Sequence, residues 1–281
     1  MRLGVCGEPF VEAWGLETAV ERAAAAGYDG IELTAWDVSD AGVDASDDEI
    51  RDAVRIAEAN DLEIVGVYRY IRSDAYSVTH PDPDVRSRTV DYLRRVIEFC
   101  DRLGGSIIVF GTPEARGLAG LDPETAHANA RETFASDPLT AALSAADVTL
   151  CIEPLTWKTD VLTTTDQATA LVQAIDHPNV RMMVDGYHLL AETDSPDDIP
   201  AVIRRCGPLI GHVHADDASL RGPGGGDLDW EPILGALGEI GYDGYVSVEL
   251  HDVYVDGESA GDRAAYLERG AEYLQDLSGW V

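Results

Sequence analysis

Four residues in the second half of the chain combine the types and the positions that a metal site requires. Glu153 stands in CIEPLTWKTD, Asp185 in VDGYH, His214 in GHVHADD and Glu249 in YVSVEL, each in or just after an apolar run. Burying three carboxylates and an imidazole beside apolar segments is costly unless a partner satisfies their charge. A divalent cation is the simplest partner, and this donor mixture favours Mn²⁺ or Co²⁺ over Mg²⁺ or Zn²⁺. Ordinary ion pairs with arginines are the alternative for each residue.

Short apolar runs carry these residues, and helical patterns separate each run from the next. The runs are Arg2–Cys6, Gly30–Thr34, Glu63–Tyr68, Ser106–Phe110, Val148–Glu153, Val180–Asp185, Leu209–His214 and Tyr245–Leu250. Most are apolar at both odd and even positions, which is typical of strands covered on both faces. Eight strand–helix units predict an α/β fold, a (β/α)₈ TIM barrel that forms a single domain over residues 1–281. A doubly wound open sheet is the alternative, but no GxGxxG follows the first run.

The carboxyl ends of the strands in such a barrel meet at one mouth, where the active sites of this fold are built. The last four strands therefore bring Glu153, Asp185, His214 and Glu249 toward one another. His188 follows Asp185 by three residues and belongs to the same region of the chain. We therefore expect the active site to lie at this mouth of the barrel.

The motifs around these residues resemble those of the sugar phosphate isomerase/epimerase family, which has the xylose isomerase-like TIM barrel, and of the ketose 3-epimerases within it. The sequence RGPGGGDLDW after the seventh strand adds to the resemblance. The resemblance implies one divalent metal ion bound by Glu153, Asp185, His214 and Glu249. It also implies that His188 and Arg221 contact substrate oxygens, although Arg221 lies one residue further from the metal histidine than usual.

The chemistry expected of this site is proton transfer beside a carbonyl group. A divalent cation stabilises the enediolate that forms when a proton leaves a hydroxyl-bearing carbon next to a ketone. Glu153 and Glu249, from different strands, are the expected acid/base pair on the two faces of that intermediate. We therefore expect a divalent-metal-dependent isomerase or epimerase of a sugar or sugar derivative. Return of the proton to the neighbouring carbon would give aldose–ketose isomerisation at the same site.

Three other functions fit parts of the pattern. A metal-dependent dehydratase or lyase of the inosose dehydratase type would use the same enediolate and expel a hydroxyl group. A DNA-repair endonuclease of the related three-metal barrels would need further His and Glu ligands on the early strands and a basic groove. The third and fourth strands end in GVYRY and VFGTP, without a histidine. A barrel that binds its ligand without turning it over is the remaining alternative.

The composition limits the partners and the location of the protein. The 281 residues include 20 Lys and Arg against 52 Asp and Glu, so the net charge is −32, which argues against nucleic acid as a partner. No apolar stretch approaches the roughly 20 residues of a membrane-spanning helix, and the N-terminus lacks the pattern of a secretion signal. We expect a cytoplasmic protein with a small-molecule sugar substrate and no membrane partner. The sequence is compatible with either a monomer or a homo-oligomer. Acidic residues with a single lysine predict adaptation to high salt.

Two departures from the family leave the sugar open. Relatives often carry an acidic residue shortly after the EP motif, whereas this chain has Lys158, which either meets an acidic or phosphorylated substrate or pairs with Asp160. Relatives often show a histidine at the third strand, whereas this chain reads GVYRYIR. Tyr68, Arg69 and Arg72 in that segment either reshape the pocket or form surface charge pairs.

Overall fold

Parallel strands close into a barrel in the computed structural model, which describes residues 1–157, 159–217, 222–226, 228–250 and 260–277. The strands are β1 (Arg2–Cys6), β2 (Gly30–Leu33), β3 (Glu63–Val67), β4 (Ile107–Phe110), β5 (Thr149–Ile152), β6 (Val180–Asp185), β7 (Ile210–Ala215) and β8 (Tyr245–Val248). Each strand pairs in parallel with the next in chain order, and β8 pairs with β1 to complete the ring. The predicted (β/α)₈ TIM barrel is confirmed.

Helices connect the strands and surround the barrel. In the described residues they are α1 (Glu8–Trp14), α2 (Leu16–Ala25), α3 (Ala35–Val38), α4 (Asp47–Ala59), α5 (Pro83–Arg102), α6 (Pro123–Phe134), α7 (Asp137–Ala146), α8 (Thr165–Ile175), α9 (Gly186–Glu192), α10 (Ile199–Cys206), α11 (Glu231–Glu239) and α12 (Ala260–Gln275). Short 3₁₀ turns lie at Gly42–Asp44, Pro113–Arg116, Pro196–Asp198 and Gly207–Leu209. None of these helices is both long and apolar enough to cross a lipid bilayer.

The strands that carry two of the candidate ligands end earlier than the apolar runs suggest. β5 ends at Ile152 and β8 at Val248, so Glu153 and Glu249 lie just beyond the strands. Their main chains stay attached to the neighbouring strands, because Glu153 N donates to Phe110 O at 3.2 Å and Glu249 N donates to Ala215 O at 2.9 Å. Both carboxylates therefore start from backbone that the barrel holds in place.

Two groups of buried side chains fill the molecule. The larger one packs the outer faces of the strands against the helices. A smaller cluster fills the barrel interior and consists of Cys6, Tyr68, Val109, Cys151 and Met183. All four cysteines are buried and free, as their scattered positions in the sequence predict.

The C-terminal helix packs back onto the beginning of the barrel. Tyr28 Oη donates a hydrogen bond to Leu267 O at 2.9 Å, and Gln275 Nε2 donates to Gly27 O at 2.9 Å. α12 therefore covers the segment that enters β2. We propose on this basis that residues 1–281 form one domain.

Candidate metal and active site

The four residues singled out in the sequence converge at the carboxyl end of the barrel. One ligand atom from each of Glu153, Asp185, His214 and Glu249 lies within 4.8 Å of those of the other three, and all four residues are buried. Asp185 is the last residue of β6, and His214 is the next to last residue of β7. Three carboxylates and one imidazole at this spacing form a donor set that suits a divalent cation of intermediate hardness.

The electrostatics of this group fit a bound cation. Burial raises the pKa of Glu153, and the neighbouring charges of Asp185 and Glu249 raise it further, to about 8. Carboxylates held this close cannot all ionise cheaply when water is excluded. A divalent cation among them would remove that penalty, so the residues present fit the metal that the family resemblance implies.

A buried arginine and a glycine place the Glu153 carboxylate. Arg116 is fully buried, and its guanidinium donates to the main-chain oxygens of Phe110, at 3.1 Å, and of Glu153. It thereby joins the ends of β4 and β5 directly behind the ligand. A Cβ atom at Gly111 would lie 1.9 Å from Glu153 Oε2, so the absence of a side chain there leaves room for the carboxylate.

The first turn of α9 fixes Asp185 and His188 together. Asp185 Oδ1 accepts a hydrogen bond from His188 N at 2.8 Å and so caps the helix. Gly186 lets the turn approach its neighbours, because a Cβ there would lie 2.6 Å from Asp216 O and 2.8 Å from the Trp230 ring. Asp216 Oδ1 also accepts from Tyr187 N at 2.6 Å. The start of α9 is thus tied to the end of β7.

His214 is held between two carboxylates. Its Nδ1 lies 2.9 Å from Glu249 Oε2, and its Nε2 lies 3.2 Å from Glu32 Oε2. The other oxygen of Glu32, Oε1, lies 2.7 Å from His212 Nε2. All of these side chains except Glu249 are essentially without solvent exposure. The Nδ1 atom of His214 therefore lies on the side of the candidate metal ligands, and the Nε2 atom is held by Glu32.

The charges of this buried pair support that orientation. Burial opposes ionisation of Glu32, but the charges and hydrogen bonds of His212 and His214 outweigh it and hold the pKa of Glu32 far below its ordinary value. Burial likewise opposes protonation of His214, yet Cys6, Glu32 and Glu249 together raise its pKa well above the ordinary value. Glu32 is accordingly a carboxylate that accepts the Nε2–H of His214, which leaves Nδ1 directed toward the candidate ligands.

Glu32 and Arg116 are functional candidates that the sequence analysis missed. Glu32 lies in GIELT, an otherwise apolar run, and a carboxylate in the middle of a strand covered on both faces was the signal that could have revealed it. Arg116 follows β4 in a loop and carries no comparable signal. Its role becomes visible only once β4 and β5 lie side by side.

A cavity of about 480 Å³ opens above the candidate ligands, within the size range of small-molecule sites. Glu153, His214 and Glu249 line its floor, and His188 and Trp157 line its wall. Thr156 N donates to His188 Nδ1 at 3.2 Å, so the hydrogen of the neutral ring lies on Nε2. Tyr68, Arg69 and Arg72 also line the cavity. The predicted substrate contact Arg221, like Lys158, lies outside the described residues.

The family model of the xylose isomerase-like TIM barrel matches residues 20–277 of the chain. The chain belongs to this family. The predicted family and its fold are therefore confirmed, and both agree with the closed barrel and with the position of the clustered residues at its mouth.

Two of the named relatives are sugar epimerases. A D-psicose 3-epimerase of Ruminiclostridium cellulolyticum is 28% identical over 82% of this chain and 76% of its own length. A ketose 3-epimerase of Arthrobacter globiformis is 26% identical over 85% of this chain and 78% of its own length. The crystal structure of a D-psicose 3-epimerase in the presence of D-fructose superposes with a TM-score of 0.84, covers 99% of this chain and 100% of its own, and is 22% identical, which shows the shared fold. The two curated names support the prediction of a sugar-epimerising enzyme.

We expect Glu32→Gln to weaken the binding of a divalent cation by about 10–100-fold, because the carboxylate that orients His214 is lost while the ligands themselves remain. Isothermal titration of the metal-free protein with Mn²⁺ measures this. Glu63→Gln is a matched control, since Glu63 accepts hydrogen bonds from Arg2 and Tyr245 at the amino-terminal end of the barrel. Unchanged Mn²⁺ affinity in folded Glu32→Gln would show that Glu32 does not position the histidine.

The metal-free protein is expected to lose stability as the pH rises from about 5 to about 8. A carboxyl group whose pKa is raised on folding binds its proton more tightly in the folded state, so ionising it with rising pH costs folding free energy. Urea unfolding at a series of pH values measures the slope. Excess Mn²⁺ should flatten it, and Glu153→Gln, which cannot ionise, should show a shallower slope without metal. Equal slopes in the wild type and in Glu153→Gln would contradict the interpretation.

Proposed function

We propose that the protein is a divalent-metal-dependent ketose 3-epimerase that inverts a hydroxyl-bearing carbon next to the carbonyl group of a ketose or ketose derivative. The observation that carries the proposal is the buried group of Glu153, Asp185, His214 and Glu249, three of which (Glu153, His214 and Glu249) line the floor of one cavity. Because the curated relatives are named 3-epimerases, their names support carbon 3 as the carbon that is inverted.

The four side chains of this group would hold one metal ion, for which their donor mixture favours Mn²⁺ or Co²⁺. When bound, such an ion acts as a Lewis acid that lowers the energy of negative charge on the substrate oxygens. Glu32 and Arg116 would position the ligands without binding the ion: Glu32 orients the His214 ring, and Arg116 holds the main chain of Glu153.

Glu153 and Glu249 are the proposed proton-transfer pair. Glu153 follows β5 and Glu249 follows β8, so β6 and β7 separate them along the barrel wall and their carboxylates enter the cavity from different sides. One carboxylate removes the proton from carbon 3, which leaves an enediolate of the substrate. The other delivers a proton to the opposite face of the same carbon. The reaction involves no net oxidation or reduction, and it needs the two groups to start in opposite protonation states.

His188 is the proposed donor to a substrate oxygen. Its Nδ1 accepts the hydrogen bond from Thr156 N, and its ring lines the cavity wall beside the candidate ligands. The Nε2–H group is therefore oriented before a sugar arrives, which reduces the entropy lost on binding. Arg221 is proposed as a second substrate contact on the resemblance of its motif alone.

The proposal predicts epimerisation at carbon 3 with exchange of that hydrogen. A panel of ketoses incubated in D₂O with added Mn²⁺ or Co²⁺ should yield the 3-epimers with deuterium at carbon 3, as seen by NMR. Glu153→Gln and Glu249→Gln should each lower turnover by about 10²–10⁴-fold, the usual worth of a general acid or base. Metal content measured at saturating Mn²⁺ separates loss of the base from loss of the ion.

Glu132→Gln is the control variant, because Glu132 is an exposed carboxylate that pairs with Arg86 away from the cavity. It should retain full turnover. Aldose products would assign the site to an isomerase, and dehydrated products would assign it to a dehydratase of the inosose type. Binding of sugars without any product would contradict the enzymatic proposal, as would full activity in a chelator-treated protein shown to contain no metal.

A further inference from the structure

A second charged cluster lies beside the same cavity and takes no part in the proposed proton transfer. It consists of Arg69 and Arg72 from the loop after β3, which line the cavity, and of Glu8 from the start of α1, which pairs with both. Arg72 Nη2 lies 3.1 Å from Glu8 Oε1, and Arg69 Nη1 lies 2.6 Å from Glu8 Oε2. The Glu8 side chain is only 10% exposed, whereas those of Arg69 and Arg72 are 46% and 56% exposed. Two exposed guanidinium groups thus share one buried carboxylate.

Arg72 is fixed in position with most of its donors available. Its guanidinium carbon lies 4.0 Å from the centroid of the Trp36 ring, so the planar group stacks on an aromatic face while Glu8 holds one edge. Among the described residues, Glu8 is the one hydrogen-bond acceptor of Arg72, and a guanidinium group carries five N–H donors. Stacking and one ion pair hold the guanidinium group in place, and its remaining N–H donors are preorganised to bind a carboxylate or a phosphate.

The backbone at Arg69 directs this segment toward the cavity. Arg69 adopts a φ of 47°, in the left-handed region that is uncommon for a long side chain, two residues after β3 ends at Val67. Strained backbone of this kind persists where the surrounding structure requires it and is frequent at ligand sites. Here the turn lets Arg69 reach the same carboxylate as Arg72.

Tyr68 connects the cluster to the metal site. Its Oη accepts a hydrogen bond from Glu8 N at 3.1 Å, and its ring meets the His214 ring edge-on with the centroids 6.1 Å apart. The distance between the arginines and the candidate ligands is therefore set by packed, buried groups. A substrate that places its carbonyl end on the floor would present its other end to a fixed pair of guanidinium groups.

From this arrangement we infer that Arg72, with Arg69 beside it, binds an anionic group at the far end of the substrate, either a carboxylate or a phosphate. The inference rests on the proposed function and assigns its substrate to the class of acidic ketoses. Asp74 and Glu114 also line the cavity, and the chain carries a net charge of −32, so no general positive field attracts an anion here. Recognition must come from direct hydrogen bonds of the guanidinium fork, which are stronger than those of a neutral donor.

The test compares kcat/KM of the Mn²⁺-loaded protein for a neutral ketose, for the same ketose with a terminal phosphate and for its counterpart with a terminal carboxylate. The wild type should favour one anionic substrate over the neutral one by at least 10-fold, and the two anionic substrates distinguish phosphate from carboxylate. Arg72→Gln should lower that ratio by about 10–100-fold, the worth of a charge-assisted hydrogen bond pair. Low ionic strength is needed because salt screens the interaction.

Arg95→Gln is the matched control. Arg95 also pairs with one carboxylate, that of Asp44, and also lies over an aromatic ring, that of Tyr92, but it stands outside the cavity. This variant should keep the ratio of the wild type. A ratio near one in the wild type, or an equal ratio in the wild type and in Arg72→Gln, would overturn the inference.

A binding measurement separates this inference from the proposed function. Calorimetric titration of the metal-free protein with inorganic phosphate and with acetate needs no turnover. Binding of either anion that Arg72→Gln abolishes and Arg95→Gln retains would support the anion site even if no ketose is epimerised. Epimerisation of neutral ketoses, with no anion binding and no preference for acidic substrates, would support the proposed function and overturn the inference.

Discussion

The mutual repulsion of buried carboxylates is the constraint on which the mouth of this barrel depends. Glu153, Asp185 and Glu249 lie within one group whose ligand atoms are less than 5 Å apart, in surroundings from which water is largely excluded. Without a cation, burial and the charges of Asp185 and Glu249 favour the protonated form of Glu153, whose pKa is raised. A divalent ion bound among these carboxylates would relieve the repulsion that opposes folding. The arrangement that suits a cation therefore lowers the stability of the metal-free fold, and packing elsewhere in the barrel must offset that loss of folding free energy.

Charges behind the site balance those in front of it. Arg116 brings a buried positive charge close to Glu153, although it binds main-chain oxygens rather than the carboxylate itself. Glu32 brings a buried negative charge to the two histidines of β7. Each of these residues would be expensive to bury alone. Arg116 is compensated by main-chain oxygens at the ends of β4 and β5, and Glu32 by the two histidines of β7. The barrel interior consequently combines the small apolar cluster with buried charged groups that are compensated beneath the candidate metal site.

The sequence revealed the fold and the four candidate ligands for the same reason. Short apolar runs with repeated spacing identify barrel strands, and parallel strands bring whatever follows them to one edge, so Glu153 and Glu249 could be placed without knowing any contact. The roles of Glu32 and Arg116 could not be predicted from the sequence, because their contacts form only when the barrel closes. Closure brings the β2 carboxylate against β7, and it sets the main-chain oxygens of β4 and β5 around one guanidinium. The pairing of Arg72 with Glu8 likewise joins the loop after β3 to the start of α1, two segments that are separated by most of the first two strand–helix units.

The hydrogen bonds that tie Glu153 and Glu249 to neighbouring strands have a consequence for how such an enzyme can diversify. Because main-chain hydrogen bonds to the neighbouring strands hold Glu153 and Glu249, substitutions in connecting segments that do not contact these two residues leave their spacing largely intact. The part of the cavity wall that Arg69 and Arg72 form belongs to such a segment, and it can change independently of the candidate ligands. A change of sugar specificity can therefore arise from substitutions at the rim, while the buried group of carboxylates and histidine at the mouth is retained.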